Sequence, residues 1–187
     1  MSRNYAILEK SGSQLFAPAG RYSDLIARFF QTPAAVAIVS RGDARICEDI
    51  AGELAAAGKR VIIVSVATLL RLNPVPVPHP PAYLPGRREN IWLWPAPDGA
   101  KLTFFKSRDD SDPVKWLEAL RLNFEAVLLD CPAPGTTPGS AEIAALADAA
   151  ILIAEAGVTT KLEIRQDCQL LRSKGVKLAG SILTPRT

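Results

Sequence analysis

The sequence contains few of the residues that carry most metal and acid–base chemistry. It has one histidine, His79, in a proline-rich stretch, and three cysteines that are scattered without metal-ligand spacing. A Cys/His metal site is therefore not expected. A serine-hydrolase triad is not indicated either, because there is no Gly-x-Ser-x-Gly motif. The cysteines are interpreted as small buried hydrophobic residues in a reducing compartment.

Long apolar runs and blocks of like charge are also absent from the sequence. No apolar run approaches the roughly 18 residues of a membrane span, and the first ten residues lack a signal-peptide core. We therefore predict a cytoplasmic protein. The net charge of +3 without a basic block does not indicate nucleic-acid binding. It leaves room for a weak attraction to acidic membrane surfaces.

What the sequence does contain is a regular alternation of apolar runs and helical patterns. With 48% hydrophobic residues in 187, the chain is long enough for one sizeable core, so residues 1–187 are predicted to form a single domain. Strands are predicted at 34–40, 60–66, 91–96, 125–130, 149–156 and 177–183. Helices are predicted at 22–30, 44–57, 113–122, 140–147 and 159–175. This order predicts a three-layer α/β/α sandwich with a mostly parallel sheet.

Two segments lack a regular pattern. Residues 1–20 are predicted to be irregular. Residues 73–90 are rich in proline and are predicted to be a long loop.

Three segments give the chain a family resemblance. They are "DIAGELAAAGKRVIIV" (49–64), "FEAVLLDCPAP" (124–134) and "LADAAILIAEAGVTTKLEIRQDCQLLRSKGVKLAGSILT" (146–184). In this order and spacing they resemble the deviant-Walker P-loop ATPases of the MinD/ParA group. They look most like the tyrosine-kinase domains (BY-kinases) of bacterial exopolysaccharide and capsule synthesis. The resemblance implies a P-loop NTPase-like fold.

The same resemblance places the phosphate loop between residues 40 and 45, where the sequence departs from the family pattern. The family's Gly-Lys-Ser/Thr falls on Gly42, Asp43 and Ala44. An acid thus replaces the lysine, and alanine replaces the magnesium ligand. A carboxylate about 4 Å from a phosphate charge costs on the order of 4 kcal/mol at an effective dielectric near 20. Asp43 is interpreted as the N-cap of the following helix, whereas Arg41 and Arg45 could face an anion.

The family's acidic magnesium motif is incomplete as well. Where the resemblance implies Asp-x-Asp, this chain has Ser65 and Ala67, and of the acidic positions Asp130 remains. One carboxylate is a poor Mg²⁺ site. We therefore expect no metal, no cofactor and no catalytic residue, and interpret these positions as a degenerate nucleotide site. The alternative is that ATP or ADP binds with Mg²⁺ through Arg41, Arg45 and Asp130.

Aromatic residues mark a candidate interaction surface. Its members are Tyr22, Phe29 and Phe30 near the first helix, and Trp92 and Trp94 in the strand "IWLW". The two tryptophans have period-two spacing and so face the same side. Both tryptophans belong to the core if that strand is central in the sheet. They form an apolar contact surface if the strand lies at an edge of the sheet.

The resemblance leads to three functional hypotheses. The favoured one is an inactive pseudo-ATPase or pseudo-kinase that acts as a scaffold or regulatory subunit in exopolysaccharide synthesis and export. Its partner would be an inner-membrane polysaccharide co-polymerase or synthase, which would hold it peripherally at that membrane, with homo-oligomers as a further expectation. The alternatives are a nucleotide-binding ATPase or kinase with an altered phosphate loop, and a MinD/ParA-like positioning protein.

Overall fold

The computed structural model describes residues 14–15, 22–32, 34–41, 45–71, 84–86, 89–94 and 113–184. Within these ranges strands and helices alternate along the chain. The strands are β1 (Gln14–Leu15), β2 (Ala34–Ser40), β3 (Val61–Ser65), β4 (Leu84–Pro85), β5 (Ile91–Trp94), β6 (Ala126–Pro132), β7 (Ala149–Glu155) and β8 (Leu178–Thr184). The helices are α1 (Ser23–Phe29), α2 (Arg45–Ala56), α3 (Val66–Leu69), α4 (Pro113–Asn123), α5 (Ser140–Ala144) and α6 (Lys161–Ser173).

The strands form one sheet in the order β1-β8-β7-β2-β6-β3-β5-β4. Neighbouring strands are parallel except β4 and β5, which are antiparallel. Strand β2 is buried along its whole length and lies between β7 and β6. A strand that is apolar throughout needs cover on both faces of its sheet. The predicted α/β fold with a mostly parallel sheet is confirmed.

Alternate strand residues feed two cores on opposite faces of this sheet. Ala35, Ala37 and Val39 of β2 belong to the first core, which also contains buried residues of α4, α5 and α6. Val36 and Ile38 belong to the second core, with buried residues of α1 and α2. The period of two along the strand therefore sorts side chains between two helical layers, which is the α/β/α arrangement.

The helix that follows β2 illustrates how local sequence sets these elements. Ile46, Ile50 and Leu54 recur at helical spacing and are all buried in α2. Gly58 ends the helix with a φ of +80°, a left-handed conformation that favours glycine. The N–H of Gly58 donates to the carbonyl of Ala55, and the N–H of Lys59 donates to that of Leu54. The predicted glycine C-cap is thus observed.

Three short elements differ from the sequence prediction. Strand β3 ends at Ser65, and helix α3 begins at the next residue, because the side chains of Val66 and Leu69 are buried in the first core. Strand β4 lies inside the segment predicted as a loop, at the sheet edge, where a proline such as Pro85 is tolerated. Strand β1 lies inside the segment predicted as irregular. Two-residue pairings of this kind depend on tertiary contacts. The rest of both segments lies outside the described residues.

Candidate functional site

The candidate site lies at the carboxyl edge of the sheet, where the parallel strands β2, β6 and β3 end side by side. Ser40 is paired in register with Pro132, and Ser65 with Asp130. From β2 the chain continues into α2 on one face, and from β7 into α6 on the other. Open parallel sheets bind ligands at such a point, because connections that leave in opposite directions open a crevice.

The connection between β2 and α2 is short. Strand β2 ends at Ser40 and α2 begins at Arg45, so residues 41–44 are all that could form a phosphate loop. Gly42, Asp43 and Ala44 lie outside the described residues, and the N-cap role of Asp43 stays a prediction. Arg45 is the exposed first residue of α2. A glycine-rich phosphate loop has more residues between strand and helix than this connection supplies.

Arg41 does not face the crevice as a free cation. Its Nε donates to Oδ2 of Asp167 at 3.0 Å, and its Nη2 lies 2.9 Å from the same oxygen. Its Nη1 donates to Oε1 of Glu163 at 3.1 Å. Both acids belong to α6, so the guanidinium is held against the helix that follows β7. Two carboxylates around one guanidinium leave no positive charge for a phosphate.

Asp167 is the buried member of this cluster. Its side chain is 1% exposed, whereas Arg41 is 22% and Glu163 36% exposed. The second oxygen of Asp167 accepts the backbone N–H of Gly135 at 3.3 Å. Gly135 belongs to the turn after β6 that is rich in glycine and threonine. Its N–H group is bonded to Asp167 and is therefore not available to a ligand. The carboxylate thus joins the end of β2, the turn after β6, and α6.

Asp130 lies on the side of β6 that faces α2. Burial raises the pKa of this carboxyl from 3.8 to about 6, and the nearby charge of Glu48 on α2 adds to the effect. Within the described ranges no side chain or backbone group donates a hydrogen bond to it, and no cation is paired with it. Burial and the charge of Asp130 also raise the pKa of the Cys47 thiol on α2. The carboxyls of Asp130 and Glu48 therefore influence each other near the start of α2, and the Cys47 thiol stays protonated.

The positions where the resemblance implies Asp-x-Asp carry no carboxylate. The hydroxyl of Ser65 is 3.0 Å from that of Thr68, so the two polar groups satisfy each other. Ala67 is the second residue of α3. Across the described ranges, no group of three or more His, Cys, Asp or Glu side chains could hold a metal ion.

The candidate interaction surface is largely interior. Tyr22 is 7% exposed, Phe30 1% and Trp94 0%, so these three side chains belong to the cores and do not offer a surface. Trp94 stacks on Trp116 with ring centroids 5.5 Å apart. Trp92 and Phe29 are partly buried, and Trp92 packs on Phe124 at 5.4 Å.

Solved structures share this arrangement of strands and helices. The kinase domain of Escherichia coli tyrosine kinase ETK is 14% identical with a TM-score of 0.65, over 87% of this chain and 72% of that one. The BceF tyrosine kinase domain is 20% identical with a TM-score of 0.59, over 80% and 68%. The MinD cell division protein of Aquifex aeolicus is 19% identical with a TM-score of 0.55, over 81% and 69%.

The chain has the fold of the MinD/ParA-like P-loop ATPases. The resemblance predicted from the three sequence segments is confirmed at the level of the fold, with BY-kinase domains among the similar structures. No protein-family model and no curated protein sequence matches the chain. In the described part of the chain, no helix has the length and apolar character needed to cross a bilayer.

Two features of the described side chains bear on the binding of a magnesium nucleotide. The arginine that follows β2 is neutralised by α6, and the carboxylates nearest the start of α2 repel a polyphosphate. Among the described residues, Asp130 is the one carboxylate of β2, β3 and β6, so the other oxygens of an octahedral Mg²⁺ shell would have to come from water or phosphate.

Sequence reasoning missed the two acids of α6. A signal was present, because Asp167 falls on the apolar stripe formed by Ile164, Cys168 and Leu171. An acidic residue on the buried face of a helix needs a partner. The sequence does not say that the partner is Arg41, which lies 126 positions away.

Proposed function

We propose that this protein is a non-catalytic scaffold or regulatory subunit of a bacterial exopolysaccharide synthesis or export system, which acts by binding other proteins. The fold supports this proposal, since tyrosine kinase domains are among its structural neighbours. The site supports it too, because the groups that would hold a nucleotide are absent or engaged elsewhere. No nucleotide, metal or other cofactor is part of the proposal.

The observation that carries the proposal is the double ion pair of Arg41. This arginine directly follows β2, and it is bound by the buried Asp167 and by Glu163. Releasing it toward a phosphate would leave Asp167 buried without a counter-charge. Removing one partner of a buried ion pair costs about 3–5 kcal/mol, which is a large share of a typical binding energy.

The partner in this proposal is an inner-membrane polysaccharide co-polymerase or synthase. The protein would then lie at the cytoplasmic side of that membrane through its partner. Self-association, if it occurs, would not depend on ATP held between two copies.

The first test is calorimetric titration of the full chain with ATP and with ADP, each with and without Mg²⁺. We expect no heat at millimolar nucleotide. A matched pair of variants, Arg41→Ala and Arg60→Ala, tells binding at the site from binding elsewhere on the surface. Arg60 is the control because it is an exposed arginine paired with Glu125. Micromolar binding that Arg41→Ala or Arg45→Ala abolishes and Arg60→Ala leaves intact would overturn the proposal.

The second test addresses the biological role. In a strain that lacks the gene, we expect less cell-surface polysaccharide, and equal rescue by the wild type and by Asp130→Asn. Rescue by the wild type alone, with a folded Asp130→Asn protein, would contradict a non-catalytic role. An unchanged polysaccharide content in the deletion strain would contradict the assignment to polysaccharide work.

A second candidate is a nucleotide-binding protein with an altered loop. Asp130 favours it, because an ionised carboxylate that is partly buried and has no described partner destabilises the fold. A bound cation would relieve that cost. If Mg²⁺ with ATP raises the melting temperature of the wild type but not of Asp130→Asn, this candidate replaces the first.

A further inference from the structure

The outer face of α6 carries three exposed cations. Lys161, Arg165 and Arg172 are all exposed there. At 100° per residue their directions fall within about 40° of one another, and at 1.5 Å per residue they extend over about 16 Å. Together with Val158 and Leu162, these three cations are called the basic face below.

The acids of α6 do not neutralise the basic face. The helix has two acidic residues, Glu163 and Asp167, and both are bonded to Arg41 on the opposite side of the helix. Elsewhere in the described chain no acidic side chain is paired with Lys161, Arg165 or Arg172. Because both acids of α6 are bonded to Arg41, neither is paired with the cations of the basic face.

Two exposed apolar side chains lie near the start of α6. Leu162 is 64% exposed and Val158 is 51% exposed, at the start of α6 and in the turn before it. Leu162 points about 60° away from Arg165 around the helix. A leucine this exposed gains nothing from the protein's own core, and it can enter an apolar environment without rearrangement of the fold.

We propose that the basic face docks on the surface of an anionic phospholipid bilayer, with α6 parallel to the membrane plane. Cations and leucines on one convex helical face are the combination that binds at the headgroup boundary. The surface potential of acidic lipids attracts the cations, and Leu162 with Val158 enters the boundary between headgroups and acyl chains. This proposal rests on α6 alone and is independent of the proposed function.

The test is cosedimentation of the full-length protein with vesicles at low salt. One set is phosphatidylcholine, and the other contains phosphatidylglycerol as its acidic lipid. The charge variant is Lys161→Gln/Arg165→Gln/Arg172→Gln. Its matched control is Arg28→Gln/Lys59→Gln/Arg60→Gln, which removes the same formal charge from α1 and from the segment before β3. The apolar variant is Leu162→Ser, with Leu122→Ser on α4 as its control.

We expect the wild type to bind the acidic vesicles and not the neutral ones. The charge variant should lose on the order of 100-fold in partition coefficient, from about 1 kcal/mol for each cation. Leu162→Ser should lower the partition coefficient by roughly a few-fold relative to the wild type. Leu122→Ser and the charge control should stay near the wild-type value. High salt should release the protein, since screening shortens the Debye length.

Three results would overturn the proposal. The first is the absence of binding to acidic vesicles at low salt. The second is an equal loss of binding in the charge control and the charge variant. The third is binding to polyglutamate that depends on the basic face while vesicles stay free, which would assign this face to an acidic protein. Matching circular dichroism melts for all variants establish that a loss is not due to unfolding.

Discussion

Replacing Asp130 by asparagine should stabilise the protein at neutral pH. The carboxylate is partly buried at the end of β6 and close to Glu48, and the described chain gives it no compensating cation. Asparagine has nearly the same shape and no charge. The substitution therefore removes the cost of holding a desolvated negative charge while leaving the packing of α2 against the sheet intact.

The pKa of Asp130 gives the size and sign of the effect. The folded-state pKa is raised from 3.8 to about 6, so below about pH 4 the group is protonated in both states and costs nothing. Between these values the unfolded chain ionises first, and stability falls as pH rises. Above about pH 6 the full cost remains, at most about 3 kcal/mol from 1.36 kcal/mol per pKa unit. Partial contact with water reduces our expectation to about 1–2 kcal/mol.

The assay is urea unfolding at several pH values, followed by fluorescence of the buried tryptophans Trp94 and Trp116. We expect Asp130→Asn to raise the free energy of unfolding at pH 8, with a gain that vanishes near pH 4. Asp24→Asn on the exposed side of α1 is the control and should change stability by less than about 0.5 kcal/mol. A gain that is independent of pH, or a loss at pH 8, would refute the argument from desolvation.

Three further substitutions test the packing of the site and its supports. Asp167→Asn should lower the free energy of unfolding by about 3 kcal/mol, because it breaks the buried pair with Arg41. Glu163→Gln in the exposed half of the cluster should lower it much less, and equal losses in urea unfolding would contradict this ranking. Trp94→Ala should lower the free energy of unfolding by about 3–5 kcal/mol, because it leaves a cavity beside Trp116. Calorimetric melting measures this loss, and a loss under about 1 kcal/mol would show that neighbouring side chains fill the cavity. Thr160→Ala should cost about 1 kcal/mol because the capping box of α6 is lost, and an unchanged melting temperature would show that the cap contributes nothing.

The long elements of the fold follow from local sequence patterns. Strand β2 was predicted at 34–40 and is observed there. A continuous apolar run bounded by a proline and a polar turn is compatible with few structures other than a buried strand. Helix α2 was predicted over 44–57 with Gly58 as its C-cap. It is observed at Arg45–Ala56 and is followed by Gly58 in the left-handed region, which glycine enters without strain. Periodicity and caps are properties of neighbouring residues, so sequence alone reveals them.

The contacts of the site could not be predicted in the same way. The second strand was predicted over 60–66, yet it ends at Ser65 and α3 begins at Val66, because Val66 and Leu69 are buried in the first core. Tyr22, Phe30 and Trp94 were candidates for an interaction surface. The structure shows that these three side chains are buried in the cores. Arg41 was considered an anion ligand, and its partners lie on the helix after β7. Each outcome depends on residues far apart in the chain.

The link through Asp167 has a kinetic consequence. One carboxylate binds Arg41 after β2 and the N–H of Gly135 after β6, so these two connections cannot open separately from α6. They should behave as one cooperative unit in hydrogen exchange, with the Gly135 amide exchanging as slowly as the amides in the middle of α6. A partner that bends α6 would therefore also move the end of β2, and strain applied at the outer helix would reach the centre of the sheet.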